Sequence, residues 1–210
     1  MSVARPGKII GVGRNYVEHA AELGNTVPKQ PLLFLKPPST VIGNDDAIVL
    51  PPESVQVEYE AEIGLVIGRS VRRATDAQAL AAIAGITCVN DVTARDLQRS
   101  DEQWTRAKGF DTFCPIGPRL LPPDPAHFED LEVRCRVNGV ERQHGRARDM
   151  VFGFVALVAY ISQVMTLEPG DLIATGTPSG VGPLQPGDVV EVEIPGVGVL
   201  RNPVVATRSV

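Results

Sequence analysis

The segment VQVEYEAEIGLVI, residues 55–67, alternates apolar side chains with other residues along its whole length. This period of two is typical of a β-strand, in which successive side chains point to opposite faces. The apolar residues would share one face, and Glu58, Glu60 and Glu62 would share the other. Residues two apart on a strand lie about 7 Å apart on the same side. The segment therefore predicts one long strand with an acidic face.

The acidic face can be either exposed to solvent or buried beside a cation. On spacing alone, the commoner one is a half-exposed strand whose carboxylates are solvated. If the strand is packed inside the protein, two carboxylates about 5 Å apart repel by about 3 kcal/mol at an effective dielectric constant of about 20. A divalent cation removes that cost and would take a third oxygen ligand, such as Asp91 in the segment NDVTARD at residues 90–96.

Composition limits the classes of protein to which the chain can belong. Its 210 residues can bury a good-sized core and are most simply one domain, residues 1–210. The hydrophobic content of 43% and the charged content of 21% are ordinary for a globular protein. The 20 glycines and 18 prolines predict many turns and substantial β-structure. A net charge of -5 argues against a nucleic-acid partner, because no large basic surface is available to contact phosphates.

Cysteine usage and hydropathy indicate the compartment. Cys88, Cys114 and Cys135 have no close spacing, so they predict neither a zinc cluster nor a disulfide framework and fit a reducing cytoplasm. Residues 1–7 lack the apolar core of a signal peptide. The longest apolar stretch, residues 150–165, is too short to span a bilayer and predicts a buried helix. We therefore expect a cytoplasmic protein with no membrane partner.

Local signals predict where the remaining elements begin and end. Thr75 or Asp76 would cap one helix, and Asp149 another. Asn138-Gly139 predicts a type I′ hairpin, and Pro203 predicts an edge strand. The proline-rich residues 115–125 predict a rigid surface loop. The predicted strands, besides residues 55–67, are 8–12, 32–35, 86–90, 131–137, 140–143, 172–175, 189–194 and 199–205, and the predicted helices are 16–23, 75–84 and 150–165.

One candidate for proton-transfer chemistry lies in the segment GRNYVEHAAE, residues 13–22. If this segment is helical, His19 and Glu22 lie three residues apart on one face and can touch. A carboxylate that binds one imidazole nitrogen fixes the tautomer and leaves the other nitrogen as a base. His19 is therefore the best candidate for a general base near neutral pH. On spacing alone, a solvated surface helix is the commoner outcome.

Two lysines and a glycine-rich segment are further candidates. Lys36 and Lys108 lie beside apolar residues, where lysines usually extend to solvent. Beside carboxylates and an anionic substrate, they would balance charge and stabilise an oxyanion. The segment ATGTPSGVG, residues 174–182, could bind a carboxylate through its amides, although a plain surface turn is commoner. The chain has no complete phosphate-binding loop, so a nucleotide-binding function is disfavoured.

Taken together, seven segments closely resemble the fumarylacetoacetate hydrolase family, in particular its single-domain branch of acylpyruvases and 2-hydroxyhepta-2,4-diene-1,7-dioate isomerases. They follow the family's order from residue 8 to about residue 183. The resemblance reverses the outcomes favoured by spacing alone for both the acidic strand and the histidine helix. The segments are GVGRNYVEHAAE, LFLKP, VEYEAEIGLVIG, VNDVTARDLQ, AKGFDTFCPIGP, VNGVERQ and LIATGTPSGVG.

The resemblance implies a fold and a set of roles. The implied fold is a mixed β-sandwich or β-roll, mainly β with a few short helices (α+β), in a homodimer. The implied metal ligands are Glu60, Glu62 and Asp91, and Glu58 matches no known role. The implied catalytic residues are the dyad of His19 and Glu22, on a helix that acts as a lid, and Lys108, which stabilises an oxyanion. The implied substrate-binding residues are Arg14, Lys36, Arg95, Gln98 and Thr177.

These residues imply a reaction on small 2-oxo acids. Three carboxylates suit Mg²⁺ or Mn²⁺, with Ca²⁺ as a substitute. Because only hydrolysis requires an activated water, the dyad favours hydrolysis of a C–C bond in acylpyruvates such as fumarylpyruvate, through a metal-bound pyruvate enolate. The alternatives are a 2-hydroxyhepta-2,4-diene-1,7-dioate isomerase and an oxaloacetate-type decarboxylase in aromatic catabolism. A non-catalytic metal-binding domain is a rival from another class.

Overall fold

The acidic segment forms two strands, β5 (Val57–Tyr59) and β6 (Ala61–Ile67), and not one. The structure is a computed structural model that describes residues 5–22, 24 and 26–207. The strand breaks at Glu60 because this residue bonds elsewhere. Its N–H donates to Asn90 Oδ1 (3.0 Å), and its carbonyl accepts the N–H of Asp91 (2.8 Å). The break therefore ties the acidic segment to the strand that ends at Asn90.

Short strands dominate the described residues, which confirms the predicted fold class. The strands are β1 Ile9–Gly13, β2 Leu32–Lys36, β3 Val41–Ile42, β4 Ile48–Leu50, β5 and β6 as above, β7 Ile83–Asn90, β8 Thr93–Ala94, β9 Cys114–Leu121, β10 Glu132–Val137, β11 Val140–Arg146, β12 Leu172–Ala174, β13 Gly182–Pro183, β14 Val189–Ile194 and β15 Gly198–Ala206. The α-helices are α1 Val17–Glu22, α2 Asp76–Ala82, α3 Arg95–Ser100, α4 Thr105–Lys108 and α5 Phe154–Val164. Three 3₁₀ turns occupy Pro38–Thr40, Pro125–Asp130 and Ala147–Asp149.

Two sheets pack against each other and enclose the core. The larger sheet has the strand order β2-β1-β12-β6-β7-β9-β3, and the second has the order β11-β10-β14-β15-β4. Strands β6, β7 and β9 of the first lie against β10, β14 and β15 of the second. Residues 57–67 are all buried, so Glu58, Glu60 and Glu62 lie inside the protein. A small third sheet joins β13, β5 and β8.

The direction of the strands brings distant segments to one edge of the larger sheet. Strands β1 and β12 are parallel, so Arg14 and Thr175 follow them at the same edge. Strand β6 is antiparallel to β12 and begins there, and β7 is antiparallel to β6 and ends there, with Ala61 opposite Asn90. This edge therefore carries residues from four separate stretches of the chain.

Three of the predictions from local signals are confirmed. The Thr75 side chain caps α2 and forms a capping box with Gln78, whose side chain accepts from the Thr75 N–H. Asn138 and Gly139 join β10 and β11, with φ values of 53° and 78° as a type I′ turn requires. Helix 16–23 is found as α1, although Leu23 lies outside the described residues.

The predicted start of the longest helix is wrong. Helix α5 begins after Gly153, and Asp149 lies in a preceding 3₁₀ turn. Residues 150–152 stay outside the helix because they bond to the segment before α1. Met150 forms a bridge with Tyr16, and the Val151 N–H donates to the Asn15 carbonyl (2.8 Å). This tertiary pairing prevents the helix from starting earlier.

Two predictions from proline are also wrong. Residues 114–121 form strand β9, whose pairing with β7 is irregular between Ile86 and Cys88. Pro118 lies in this irregular stretch, which tolerates a residue without an N–H. Pro203 lies in β15, which has a neighbour on both sides. Strand β4 pairs only with residues 204–206 of β15, so the proline falls just outside that ladder. Among the described residues, no helix has the length and the apolar character needed to cross a membrane.

Candidate active site

Three carboxylates converge in the interior, at the end of the larger sheet where β1, β7 and β12 end and β6 begins. Glu60 lies between β5 and β6, Glu62 lies in β6, and Asp91 follows β7. One oxygen from each lies within 4.8 Å of the other two. Their exposed fractions are 4%, 2% and 0%, so solvent does not screen the charges from each other. The alternative of a solvated acidic face is therefore wrong, and the carboxylates form a closely spaced, buried triad.

Three buried cations surround these carboxylates. Lys36 Nζ lies 2.6 Å from Asp91 Oδ1. Lys108 Nζ donates to Glu60 Oε2 (2.8 Å) and also to Asp91 Oδ2. We call the following seven residues the buried charge cluster: Lys36, Glu58, Glu60, Glu62, Asp91, Arg95 and Lys108.

Arg95 links the metal-ligand candidates to the glutamate that matched no family role. Its Nη2 lies 2.5 Å from Glu60 Oε1, and its Nε lies 2.7 Å from Glu58 Oε2. Its Nη1 also donates to Gln98 Oε1. Glu58 therefore orients the guanidinium, and Arg95 in turn orients Glu60.

Glu60 and Glu62 have opposite electrostatic environments. Burial raises the pKa of Glu60, but the charges of Lys108 and Arg95 lower it more, and the net pKa lies well below its usual range. Burial raises the pKa of Glu62 well above its usual value, and the charges of Asp91 and Glu60 raise it further. Glu62 accepts the Gly176 N–H (2.8 Å) but has no cationic partner among the described residues. It is thus the carboxylate that most needs an added positive charge.

The cluster fits a divalent cation. Its four carboxylates and three cations have a formal net charge of −1, which a divalent cation would change to +1. Carboxylate oxygens are the ligands that Mg²⁺ and Mn²⁺ prefer. A site with a net positive charge would attract an anionic substrate. Glu60, Glu62 and Asp91 are therefore the residues that would hold the metal.

Helix α1 places a histidine beside a carboxylate. His19 is 5% exposed, and its Nδ1 lies 3.3 Å from Glu22 Oε2. The N–H of Gly180 donates to both oxygens of Glu22 (3.0 and 3.2 Å), so the glycine-rich segment holds the carboxylate. Nε2 of His19 has no hydrogen-bond partner within the described part of the chain. The arrangement is that of a base with an orienting carboxylate.

A cavity of about 360 Å³ joins these groups. It is lined by all three predicted catalytic residues, His19, Glu22 and Lys108, and by the ligand candidates Glu60 and Asp91. Of the predicted substrate-binding residues, Arg14, Arg95 and Gln98 line it as well.

Two predicted substrate-binding residues lie outside the cavity lining. Lys36 is 1% exposed, and its ammonium is bound to Asp91. The Thr177 hydroxyl donates to the Ala61 carbonyl (2.8 Å) and accepts from Gln143 Nε2 (2.8 Å). In this structure both side chains support the segments that carry the carboxylates.

Besides Val12 and Gly13, three residues of the cavity wall and one that supports it were not predicted from the sequence. Phe34 and Trp104 form an edge-to-face pair with ring centroids 5.4 Å apart, and Arg99 belongs to the same cavity lining. Asn15 is fully buried and bonds residues 152 and 175. Trp104 is the one tryptophan in the chain, which was the available signal for it. Nothing in the local pattern distinguished Arg99 from other surface arginines.

The chain matches the family model described as fumarylacetoacetate (FAA) hydrolase C-terminal over residues 8–205. Protein Rv2993c of Mycobacterium tuberculosis is 51% identical over 202 residues, which cover 94% of this chain and 75% of that protein. The human mitochondrial oxaloacetate tautomerase FAHD2A is 45% identical over 213 residues, which cover 97% of this chain and 68% of that protein.

Two solved structures of isomerases are also similar to this chain. The crystal structure of 5-carboxymethyl-2-hydroxymuconate delta-isomerase from Mycobacterium smegmatis has a TM-score of 0.89 and 45% identity, covering 98% of this chain and 81% of that one. The 2-hydroxyhepta-2,4-diene-1,7-dioate isomerase from Mycobacterium marinum has a TM-score of 0.88 and 47% identity, covering 98% and 77%. The resemblance seen in the motifs is confirmed, and the chain belongs to the fumarylacetoacetate hydrolase C-terminal family.

Proposed function

We propose that this protein is a divalent-metal-dependent enzyme that enolises small 2-oxo acids, as a keto–enol tautomerase or as a related double-bond isomerase. The observation that carries the proposal is that one cavity brings the carboxylates Glu60 and Asp91 together with His19. The named relatives support proton-transfer chemistry, since they include an oxaloacetate tautomerase and two isomerases.

The metal would supply one part of the chemistry. A divalent cation held by Glu60, Glu62 and Asp91 would act as a Lewis acid that stabilises negative charge on a substrate oxygen. The Lys108 ammonium, bound to two of these carboxylates, adds a fixed positive charge at the same wall of the cavity. Burial opposes the charge on Lys108, but Asp91 and Glu60 raise its pKa overall. Its two carboxylate partners fix the ammonium at the cavity wall, which suits Lys108 to electrostatic stabilisation.

His19 would move the proton. Glu22 fixes the imidazole through Nδ1, which leaves Nε2 to take a proton from the carbon next to the keto group. The proton is then delivered to the keto oxygen, so that one C–H bond breaks, one O–H bond forms and no water is consumed. An isomerase differs only in returning the proton to another carbon. Placing a base in this way is worth about 10²–10⁴ in rate.

Hydrolysis of an acylpyruvate is the second candidate function. The geometry that favours it is the pairing of His19 with Glu22, because such a pair can also activate water for attack on a carbonyl. Water would add to the distal carbonyl, and the C–C bond would break to release a carboxylic acid and the enol of pyruvate. Decarboxylation of oxaloacetate would give the same enol.

One set of assays tests these functions. Purified protein is given oxaloacetate, acetylpyruvate or a 2-hydroxy-dienedioate, with Mg²⁺, with Mn²⁺ or with EDTA. We expect oxaloacetate enol to disappear faster than in buffer, to do so only with metal, and to do so about 100-fold more slowly after His19→Ala. His127→Ala is the matched control, because His127 is exposed and pairs with Asp124 outside the cavity. Failure of all three substrates to react in the presence of metal would contradict both candidate functions.

The homodimer, the single domain and the cytoplasmic location stay predictions from the sequence. Size-exclusion chromatography with light scattering at several concentrations tests the first of them.

A further inference from the structure

We infer that Glu58 is a positioning residue, which holds the Arg95 guanidinium back from Glu60 and so keeps Glu60 available to a divalent cation. The inference deepens the proposed function and rests on it, since it concerns the metal affinity of the same site. It gives a role to the one acidic side chain of residues 55–67 that matched none.

Glu58 lies behind Arg95, outside the cavity lining. Arg95 and Glu60 line the cavity, whereas Glu58 does not and is 5% exposed. Both of its carboxylate oxygens accept a hydrogen bond, Oε1 from Gln56 Nε2 (2.6 Å) and Oε2 from Arg95 Nε (2.7 Å). In the described part of the chain, Arg95 is its only cationic partner. Any effect of this contact on the metal ligands must therefore pass through Arg95.

The backbone sets the contact between Glu58 and Arg95. Strands β5 and β8 pair with Val57 opposite Ala94, and the Arg95 N–H donates to the Gln56 carbonyl (2.7 Å). Glu58 and Arg95 are the next residues along these two paired segments. Their side chains therefore meet through the sheet, although they are far apart in the chain.

The Arg95 guanidinium is divided among three acceptors. Nε donates to Glu58, Nη1 donates to Gln98 (2.5 Å) and Nη2 donates to Glu60 Oε1 (2.5 Å). Only one of its nitrogens therefore bonds Glu60. A guanidinium commonly donates two parallel hydrogen bonds to a single carboxylate. Such a fork would cover both oxygens of Glu60, of which Oε2 already accepts from Lys108 (2.8 Å).

The charges of the buried charge cluster lead to the same conclusion. Its four carboxylates and three cations have a formal net charge of −1. If the Glu58 charge is removed, the net charge is zero and a divalent cation is attracted less. If the charges of Glu58 and Arg95 are both removed, the net charge is again −1. Removal of Arg95 should therefore repair the loss of Glu58, which a purely structural role of Glu58 does not explain.

The test measures the affinity for Mn²⁺ by calorimetry for the wild type, Glu58→Gln and the double variant Glu58→Gln/Arg95→Met. Glutamine keeps the size of the glutamate, and methionine adapts to the space left by the arginine stem. Glu193→Gln is the matched control, because Glu193 also lies 2.7 Å from an arginine, Arg136, but on the second sheet. Circular dichroism and urea denaturation establish that each variant is folded.

We expect Glu58→Gln to weaken Mn²⁺ binding by about 10–100-fold, the usual effect of losing a residue that supports a metal ligand. The double variant should bind Mn²⁺ within about threefold of the wild type, and Glu193→Gln within about twofold. Two results would overturn the role of Glu58. One is normal Mn²⁺ binding by Glu58→Gln, and the other is a double variant that binds no more tightly than Glu58→Gln.

Gln56→Met tests the same contact without changing a buried charge. Gln56 is half-buried and lies outside the cavity lining, so this variant should fold even if a Glu58 variant does not. Loss of its hydrogen bond to Glu58 should weaken Mn²⁺ binding by about two- to tenfold. If a Glu58 variant fails to fold, Gln56→Met decides, and normal Mn²⁺ binding by Gln56→Met then overturns the inference.

Activity separates this inference from the proposed function. If the double variant recovers Mn²⁺ binding but no 2-oxo acid reacts with the wild type, the role of Glu58 stands and the function fails. If oxaloacetate reacts but the double variant recovers no Mn²⁺ binding, the function stands and the role of Glu58 fails. A wild type that binds no Mn²⁺ would overturn both.

Discussion

Lys108 Nζ lies 2.8 Å from the Glu60 carboxylate, and neither side chain is more than 6% exposed. The same ammonium also bonds Asp91. Two of the three proposed metal ligands are therefore held in place by a fixed charge of the protein. A buried charge that loses its partner is strongly destabilising, so this contact can be tested through folding as well as through activity.

Replacing Lys108 by methionine should lower the free energy of unfolding in EDTA by about 3 kcal/mol, because Glu60 and Asp91 then lose a buried positive charge. Saturating Mg²⁺ should restore part of this loss, since the cation supplies the missing charge. Urea denaturation with and without metal measures both values. The exposed Lys29→Met is the control, with little expected change in either condition. An equal loss in EDTA and in Mg²⁺ would contradict the electrostatic role of Lys108.

Glu62→Gln should separate metal affinity from stability. Glu62 has no cationic partner among the described residues and is repelled by Asp91 and Glu60, so the neutral amide should leave the stability in EDTA unchanged or increase it. The affinity for Mn²⁺ should fall by at least about 100-fold, because loss of a residue that only supports a metal ligand already costs about 10–100-fold. Calorimetric titration with Mn²⁺ and denaturation in EDTA measure the two effects. A variant that binds Mn²⁺ normally would remove Glu62 from the metal site.

Glu22→Gln tests whether this residue positions His19. The amide keeps the size of the side chain but removes its charge, so the imidazole is less well oriented. We expect kcat for oxaloacetate to fall by about 10–100-fold with KM within twofold, because positioning acts on the chemical step. Steady-state kinetics at saturating metal give both constants. A rise in KM at constant kcat would instead assign Glu22 to substrate binding.

Gly180 and Gly187 provide a matched pair for the segment that holds Glu22. Both have a positive φ, 97° and 96°, so alanine is strained at either position. A Cβ at Gly180 would lie 2.1 Å from the Arg142 carbonyl oxygen, whereas a Cβ at Gly187 meets nothing within 4 Å. Gly187→Ala should cost about 1–2 kcal/mol of stability. Gly180→Ala should cost about 1–3 kcal/mol more and should also lower kcat. If Gly180→Ala and Gly187→Ala lower the stability and kcat by equal amounts, crowding at Gly180 is unimportant.

The parts of the fold that could be predicted from the sequence are those that neighbouring residues determine. Thr75 caps its own helix, and Asn138-Gly139 turns its own hairpin, so the pattern alone was sufficient. Asp149 also has the chemistry of a helix cap. It fails because Asn15, far away in the chain, accepts the N–H groups of residues 151 and 152 and so holds them outside the helix. The sequence around Asp149 gives no sign of these bonds to Asn15.

The candidate site likewise combines features that neighbouring residues determine with features that only distant contacts determine. Alternation along residues 55–67 showed that three glutamates share a face, but not that the face is buried. Glu58 and Arg95 are 37 residues apart, and only the folded chain brings them together. The family resemblance located the triad and the dyad because it carries three-dimensional information that spacing lacks. It did not identify Trp104 or Arg99, which became visible only as parts of the cavity wall.

Strand β12 lies between β1 and β6 in the larger sheet, although β1 ends at Gly13 and β12 begins only at Leu172. During synthesis, β1 cannot pair with β12 until residues 172–174 have been made. Gly176, which holds Glu62, arrives later still. Contacts between such distant residues slow folding. The protein therefore completes its larger sheet only after most of the chain has left the ribosome, and a nascent chain that stalls before β12 has an open sheet edge that is prone to aggregation.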